Sequence, residues 1–296
     1  MTRAEHLRDE IVRSVGASGF GAHGLHVLVG DDDEAGHLWR PDERRDVHSV
    51  AKGVCVLAAG LAAEEGLLSL DEPVAPLVAG ARPWPGVDAI TMRHLLSMSS
   101  GVDLPWSETI MTDWPDLALE FLSRPSRGRV FQYSTASTYT AMRALATRVG
   151  DVAEYLRPRL FDPLGVDDPT WERCPLGHLV GAGGLWLTTA ELSRLGRLVR
   201  DRGRWGDRQL VPASIVDAMH SDWVVSGRNE GYRGYALAGW DGPGDAWRLH
   251  GAYGQLLVFG GDAVVTVTAD DHLRADALTR TVADLLASPE QPPRSD

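Results

Sequence analysis

The order of hydrophobic periods along the chain restricts its fold more than any single motif does. Period-two alternation occurs near both ends, and helical stripes fill the middle. Leu25, Val27 and Val29 alternate as a strand, residues 31–36 form a turn, and residues 37–40 return as the other arm of a hairpin. Beyond residue 185, the runs 235–240, 247–250, 255–259 and 264–268 read as further short strands, the first two joined by the turn Gly242-Pro243-Gly244-Asp245. Helical patterns cover residues 4–15 (Leu7, Ile11, Val12, Val15) and 49–65 (Val50, Val54, Leu57, Leu61). Others cover 92–98, 117–122, 139–149 and 190–200, with a closing helix marked by Leu278, Val282, Leu285 and Leu286. Strands at opposite ends of a chain can share a core only if the ends meet. The expectation is therefore α+β, an α/β sandwich with one antiparallel sheet of about five strands. Residues 1–75 and 180–296 would form the sheet region, with the N- and C-terminal helices on one face. Residues 76–179 would form a helical lobe on the other. The polar tail, residues 289–296, reads as frayed.

Size and charge narrow the function. At 296 residues the chain can bury a full core. A net charge of −12 offers no footprint for nucleic acid or an anionic membrane. No apolar run is long enough to span a bilayer. The first residues, MTRAEHLRDE, lack the apolar stretch of a secretory signal, so the expected location is cytoplasmic. Cys55 and Cys174 make no disulfide framework, and no Cys or His spacing suggests a metal or cofactor site.

Of the 29 basic side chains, 28 are arginine and one is lysine, Lys52. Arginine stays protonated in proteins, whereas a desolvated lysine can lose its proton and act as a base. A lysine kept against such a bias is a candidate for that task. Ser49 lies three residues earlier, where the helical pattern begins, and positions i and i+3 share a helix face. A serine in the first turn sits beside unpaired N–H groups, so its own amide can help hold an oxyanion. The tetrapeptide Ser49-Val50-Ala51-Lys52 thus fits a nucleophile with its base, S-x-x-K. It equally fits a plain helix cap with a solvated lysine. Gly53 and Gly60, costly inside a helix, point to close packing against another backbone.

Two further segments fit acyl transfer. The first is Phe131-Gln132-Tyr133-Ser134-Thr135, because a tyrosine near an ammonium can carry a proton to a leaving group. Packing is the alternative role for Tyr133. The second is His250-Gly251-Ala252-Tyr253-Gly254-Gln255, at a strand end. A strand glycine marks close approach of a ligand or backbone, and a following N–H could be a second oxyanion donor. His250 could touch substrate or serve as a structural donor. Trp106 and Trp114, after Ser100-Gly101, are candidates for an aromatic rim or for core.

Together and in this order, these pieces resemble the serine beta-lactamase and penicillin-binding-protein-like superfamily. The nearest likeness is its class C-type branch of esterases, D-amino-acid peptidases and 6-aminohexanoate-dimer hydrolases. The resemblance spans about residues 20–285. It rests on His48-Ser49-Val50-Ala51-Lys52, AEEGLLSLD (63–71), ITMRHLLSMSSG (90–101), the Tyr133 segment, GGLWLTT (183–189) and the run 250–255. It implies the beta-lactamase/transpeptidase-like fold and an acyl-enzyme on Ser49. Lys52 would be its base and Tyr133 its proton shuttle, with the N–H groups of Ser49 and Ala252 forming the oxyanion hole. His250, Gly251, Thr135 and Trp106 would line the substrate site.

The chain departs from the family pattern in two places. Thr135 stands where Tyr-Ser-Asn would have Asn, and the Lys-Thr-Gly strand motif has no lysine. His250 takes either the Lys or the Thr place, and Arg248, on the same strand face, could replace the lysine. The expected function is hydrolysis of a small ester or amide inside the cell. The alternatives are a weak beta-lactamase or D-amino-acid peptidase, and a silent binding protein on the same fold. No G-x-S-x-G occurs, which argues against an α/β-hydrolase.

Overall fold

A computed structural model describes residues 1–288. The expected frayed tail lies outside these. Nine α-helices are described: α1 (Arg3–Ser18), α2 (Ala51–Glu64), α3 (Met92–Leu96), α4 (Leu117–Ser123), α5 (Thr135–Val149), α6 (Val152–Leu156), α7 (Thr189–Arg200), α8 (Ala213–Asp217) and α9 (Ala275–Ala287). The strands are β1 (Ala22–Val29), β2 (Asp33–Leu38), β3 (Arg45–Asp46), β4 (Trp186–Leu187), β5 (Arg204–Trp205), β6 (Arg208–Gln209), β7 (Val224–Val225), β8 (Gly234–Tyr235), β9 (Trp240–Asp241), β10 (Trp247–Gly251), β11 (Gln255–Gly260) and β12 (Ala263–Ala269). Eight of them form one antiparallel sheet in the order β2-β1-β12-β11-β10-β9-β8-β7. The chain ends meet where β1 pairs with β12, with Val27 opposite Val265.

The sheet is wider than the expected five strands. Residues 235–240 are two strands, not one, because Ala236 N donates to Gly239 O and Ala238 turns the chain at φ 63°. Two-residue strands such as β7 and β8 are too short to show alternation.

Each face of the sheet carries its own core. On one, Ile11 and Val15 of α1 and Leu278 and Val282 of α9 pack with Leu25, Val27, Val258 and Val265. On the other, Leu28, Leu257 and Val264 pack with Leu192, Leu195 and Leu198 of α7 and with α2. Terminal helices on one face is the expected arrangement. Because both faces are covered, every residue of β12 is buried, unlike a half-exposed strand.

The cap residues place the helices. Thr2 and Glu5 form a capping box at α1, and Gly19 stops it with φ 66°. Thr188 and Glu191 do the same at α7. Helix α2 departs from a one-sided stripe, since every residue from Ala51 to Ala62 is buried. It runs between the sheet and the helical layer, as an apolar helix without a polar face must. Its glycines meet side chains rather than backbone: a Cβ on Gly53 would lie 2.6 Å from Leu249 Cδ1, and one on Gly60 2.5 Å from Ile215 Cγ2.

Candidate active site

The site begins in the 3-10 turn His48–Val50 that leads into α2. His48 bends the chain with φ 48°, so Ser49 stands half-buried at the helix mouth. One turn on, Lys52 is 2% exposed. Its Nζ lies 2.8 Å from Ser49 Oγ and 2.9 Å from the carbonyl of Ala182. A buried amine is costly unless held by hydrogen bonds, and here one partner is the serine hydroxyl. The other partner comes from the loop before β4. That loop is pinned by Val47 N donating to Leu185 O and Gly184 N donating to Asp46 Oδ1. Ala182 had no signal in the sequence, because a main-chain carbonyl leaves none.

Tyr133 is brought to the same place. Lys52 Nζ stands over its ring, 4.9 Å from the centre, so the ring face meets the amine. Met98 secures the segment from both sides: its carbonyl accepts from Gln132 N at 2.7 Å, and its sulfur accepts from Ser134 N at 3.4 Å. Gly101, at φ 64°, packs against the Gly128 carbonyl, where any side chain would collide. Those contacts are the physical work of the 90–101 run.

Around Tyr133 is an aromatic cluster that the sequence analysis missed. Tyr133 stacks on Trp240 (5.6 Å, 28°) and meets Tyr235 edge-on (5.8 Å). Phe131 packs on Tyr235 and Trp240 at 5.6 and 5.8 Å. The signal was aromatic residues flanking the β8–β9 turn. The tryptophans singled out earlier are not in this cluster. Trp106 is 68% exposed. Trp114 packs beside Arg124 and lines a separate cavity of about 340 Å³ with Met111, Tyr139 and Cys174. Thr135 opens α5, half-buried, two residues after Tyr133 in the chain.

The strand segment approaches from the other side. A Cβ on Gly251 would strike the Val47 carbonyl and lie 3.2 Å from His48 Cβ. Only glycine lets the end of β10 come this near the Ser49 turn. Ala252 then begins the 3-10 turn Ala252–Gly254. Ser49 and Ala252 each lie in the first turn of a 3-10 helix, where the leading N–H groups have no partner within the helix.

His250 is a correction. Side chains alternate along a strand, so Leu249 and Gly251 face α2 and His48, while Arg248 and His250 face the opposite way. His250 Nδ1 accepts from Arg248 Nε at 3.3 Å and lies 3.4 Å from Tyr232 Oη, whose proton goes to Asp276 at 2.6 Å. Burial and the Arg248 charge push the His250 imidazole down to about 4, so it is neutral at pH 7. Arg248, 1% exposed, donates from Nη1 to the Gly231 and Gly242 carbonyls at 2.6 and 2.5 Å. It is a fastener of loops, not a waiting carboxylate receptor.

No cluster of His, Cys, Asp and Glu among the described residues has the arrangement of a metal site. No described helix is long and apolar enough to cross a membrane.

A wide antiparallel sheet, helices on both faces, and a serine-lysine turn abutting a central strand define the beta-lactamase/transpeptidase-like fold. The chain belongs to the beta-lactamase family, whose profile matches residues 13–287. Among solved structures it is similar to a Bacillus anthracis protein named as a 6-aminohexanoate-dimer hydrolase (TM-score 0.74, 16% identity, covering 92% of this chain and 81% of that one). A family VIII carboxylesterase matches with TM-score 0.74 and 13% identity over 97% and 98% of the two chains. A penicillin-binding protein from Bacillus halodurans matches with TM-score 0.69 and 17% identity over 93% and 98%. Identities this low speak to the fold alone. No curated protein matches the chain.

Proposed function

We propose that this protein is a class C-type serine hydrolase that cleaves a small neutral ester or amide through an acyl-enzyme on Ser49. The observation that carries the reading is the buried Lys52 Nζ at 2.8 Å from Ser49 Oγ. A general base must reach the proton it removes, and this one does. Lys52, as the free amine, takes the hydroxyl proton while Oγ attacks the substrate carbonyl carbon. The amides of Ser49 and Ala252 hold the oxyanion that forms. Collapse of the intermediate expels the leaving group, which takes a proton by way of Tyr133. Water then gives a proton to Tyr133 as it attacks the ester carbonyl, the bond to Oγ breaks, and that proton returns to Oγ through Lys52. In the free enzyme Tyr133 presents its ring to Lys52, and catalytic hydrogen bonds often tighten only around substrate.

Two observations favour a neutral substrate over a carboxylated one such as a beta-lactam. Taking Gly251 as the glycine of the strand motif puts His250 in its Thr place and Leu249 in its Lys place, and Arg248 is committed to two carbonyls. The wall beside Lys52 is aromatic and uncharged. Short p-nitrophenyl esters should be turned over, and a fluorophosphonate should add once to the intact protein. Ser49→Ala should abolish both. Lys52→Arg keeps the charge, removes the base and should lower kcat by about 10³-fold or more. Turnover surviving both substitutions would end the Ser49–Lys52 assignment, and a parent protein that takes no adduct would leave a silent binding protein instead. Turnover of a chromogenic cephalosporin at the rate of the esters would move the assignment to a beta-lactamase.

A further inference from the structure

The Ser49 turn and the loop that holds Lys52 are remote in sequence, and one carboxylate joins them. Asp46, on β3, accepts at Oδ1 from His48 N (2.8 Å) and from Gly184 N (2.9 Å). Its Oδ2 lies 3.2 Å from His48 Nδ1. His48 immediately precedes Ser49 and holds the left-handed φ of 48° that turns the serine out of line with β3. That conformation costs a histidine about 1 kcal/mol, so it persists only where neighbours hold it. Gly184 lies two residues after Ala182, whose carbonyl takes the second Lys52 hydrogen bond at 2.9 Å. A single oxygen thus fastens the residue before the nucleophile to the bend that aims the base.

The neighbouring backbone does not do this alone. Asp46 pairs with Trp186 across β3 and β4, and Val47 N donates to Leu185 O. Those bonds hold the strands. The bend at residues 182–184 is also held by Glu172 N donating to Gly184 O at 2.8 Å and Trp171 Nε1 donating to Gly183 O at 3.1 Å, and the turn at His48 by Ala51 N donating to His48 O, but none of these bonds ties the bend to the turn as Asp46 does. The His48 ring also packs on Tyr253, 5.1 Å away, in the turn that begins at Ala252. Displacing His48 would therefore disturb the nucleophile and the second oxyanion donor together.

We infer that Asp46 is a positioning residue: its carboxylate sets the Ser49 hydroxyl and the Lys52 amine in register by hydrogen bonding rather than by charge. This rests on the acyl-enzyme reading above. Misplacement of reacting groups by about 1 Å costs on the order of 10²-fold in rate. Asp46→Ala should lower kcat for a p-nitrophenyl ester by about 30- to 100-fold with KM changed less than about threefold. Asp46→Asn keeps the Oδ1 acceptor and offers an N–H to His48 Nδ1, so it should retain kcat to within about fivefold. Far-UV circular dichroism of Asp46→Ala should match the parent, since β3 and β4 stay paired.

Three results would overturn the inference. Asp46→Ala could keep the parent kcat while losing only thermal stability, which is a structural role. Asp46→Asn could fall as far as Asp46→Ala, which makes charge the operative property. A parent with no Ser49 adduct would remove the acyl-enzyme reading and this one with it. The adduct measurement on the parent separates that failure from the first two.

Discussion

His250 shows how much one residue's register decides. Its place beside a glycine at a strand end suits substrate contact, yet β10 turns it toward Tyr232 and α9. There it is neutral, with Nδ1 accepting from Arg248. Its ring takes up a proton only near pH 4, well below the ordinary histidine value of 6.5. The unfolded chain therefore binds more protons between those values. The contribution is intact above about pH 6.5 and is lost as pH falls toward 4, by on the order of 2–3 kcal/mol. Denaturant unfolding of the parent and of His250→Gln at pH 7 and pH 4.5 checks this. The parent should lose about 2 kcal/mol more than the variant, and equal losses would show that His250 takes no part in acid sensitivity. At the same scale, the lone lysine was the legible part of the site. Composition singled it out, and spacing tied it to Ser49. The Ala182 carbonyl and the Asp46 carboxylate were not legible, because their roles depend on contacts between segments 138 and 130 residues apart.

At the scale of elements, glycines decide how near the pieces of the site can come. Gly251 lets β10 touch the Ser49 turn, and Gly53 lets α2 lie against Leu249 of the same strand. Gly251→Ala should push the two apart, lowering kcat by at least about 10²-fold. A variant as active as the parent would show that the contact is not needed. Gly53→Ala overpacks a fully buried contact and should cost about 1–3 kcal/mol. Gly16, in α1, is the internal control: a Cβ there meets nothing within 4 Å. Gly16→Ala should stabilise the protein by about 0.5–1 kcal/mol, read as a higher denaturation midpoint. The long helices were legible because their stripes run for several turns. The strand pair β8–β9 was not, since a turn inside residues 235–240 looks like a strand when only apolar content is counted.

For the whole molecule, the connection of distant segments is the governing feature. Arg44 grips Glu191 through Nε and Nη2, at 3.0 and 2.5 Å, and reaches the Asp167 and Asp168 carbonyls at 2.6 and 3.1 Å. Glu191 also caps its own helix by accepting from Thr188 N at 2.9 Å. The chain before the Ser49 turn, the start of α7 and the loop at 167–168 thus meet at one ion pair. Glu191→Ala strands Arg44 and removes a cap, and it should cost about 2–4 kcal/mol. Thermal unfolding should show a single transition at lower temperature. A midpoint within 1 °C or so of the parent would mean the junction is held by its backbone contacts.

Periodicity, caps and the one retained lysine are local properties, and the chain states them without help from the fold. They determine the long helices and the longer strands, the closure of the sheet from both ends, and the Ser49–Lys52 pair one turn apart. Tertiary structure alone decides which way β10 faces, which aromatic rings gather at Tyr133, and which carbonyl holds Lys52. The reason is physical. A strand has two faces that one-residue register exchanges, and a main-chain carbonyl has the same sequence signature everywhere. Packing between α2, β10 and the 182–184 bend fixes both.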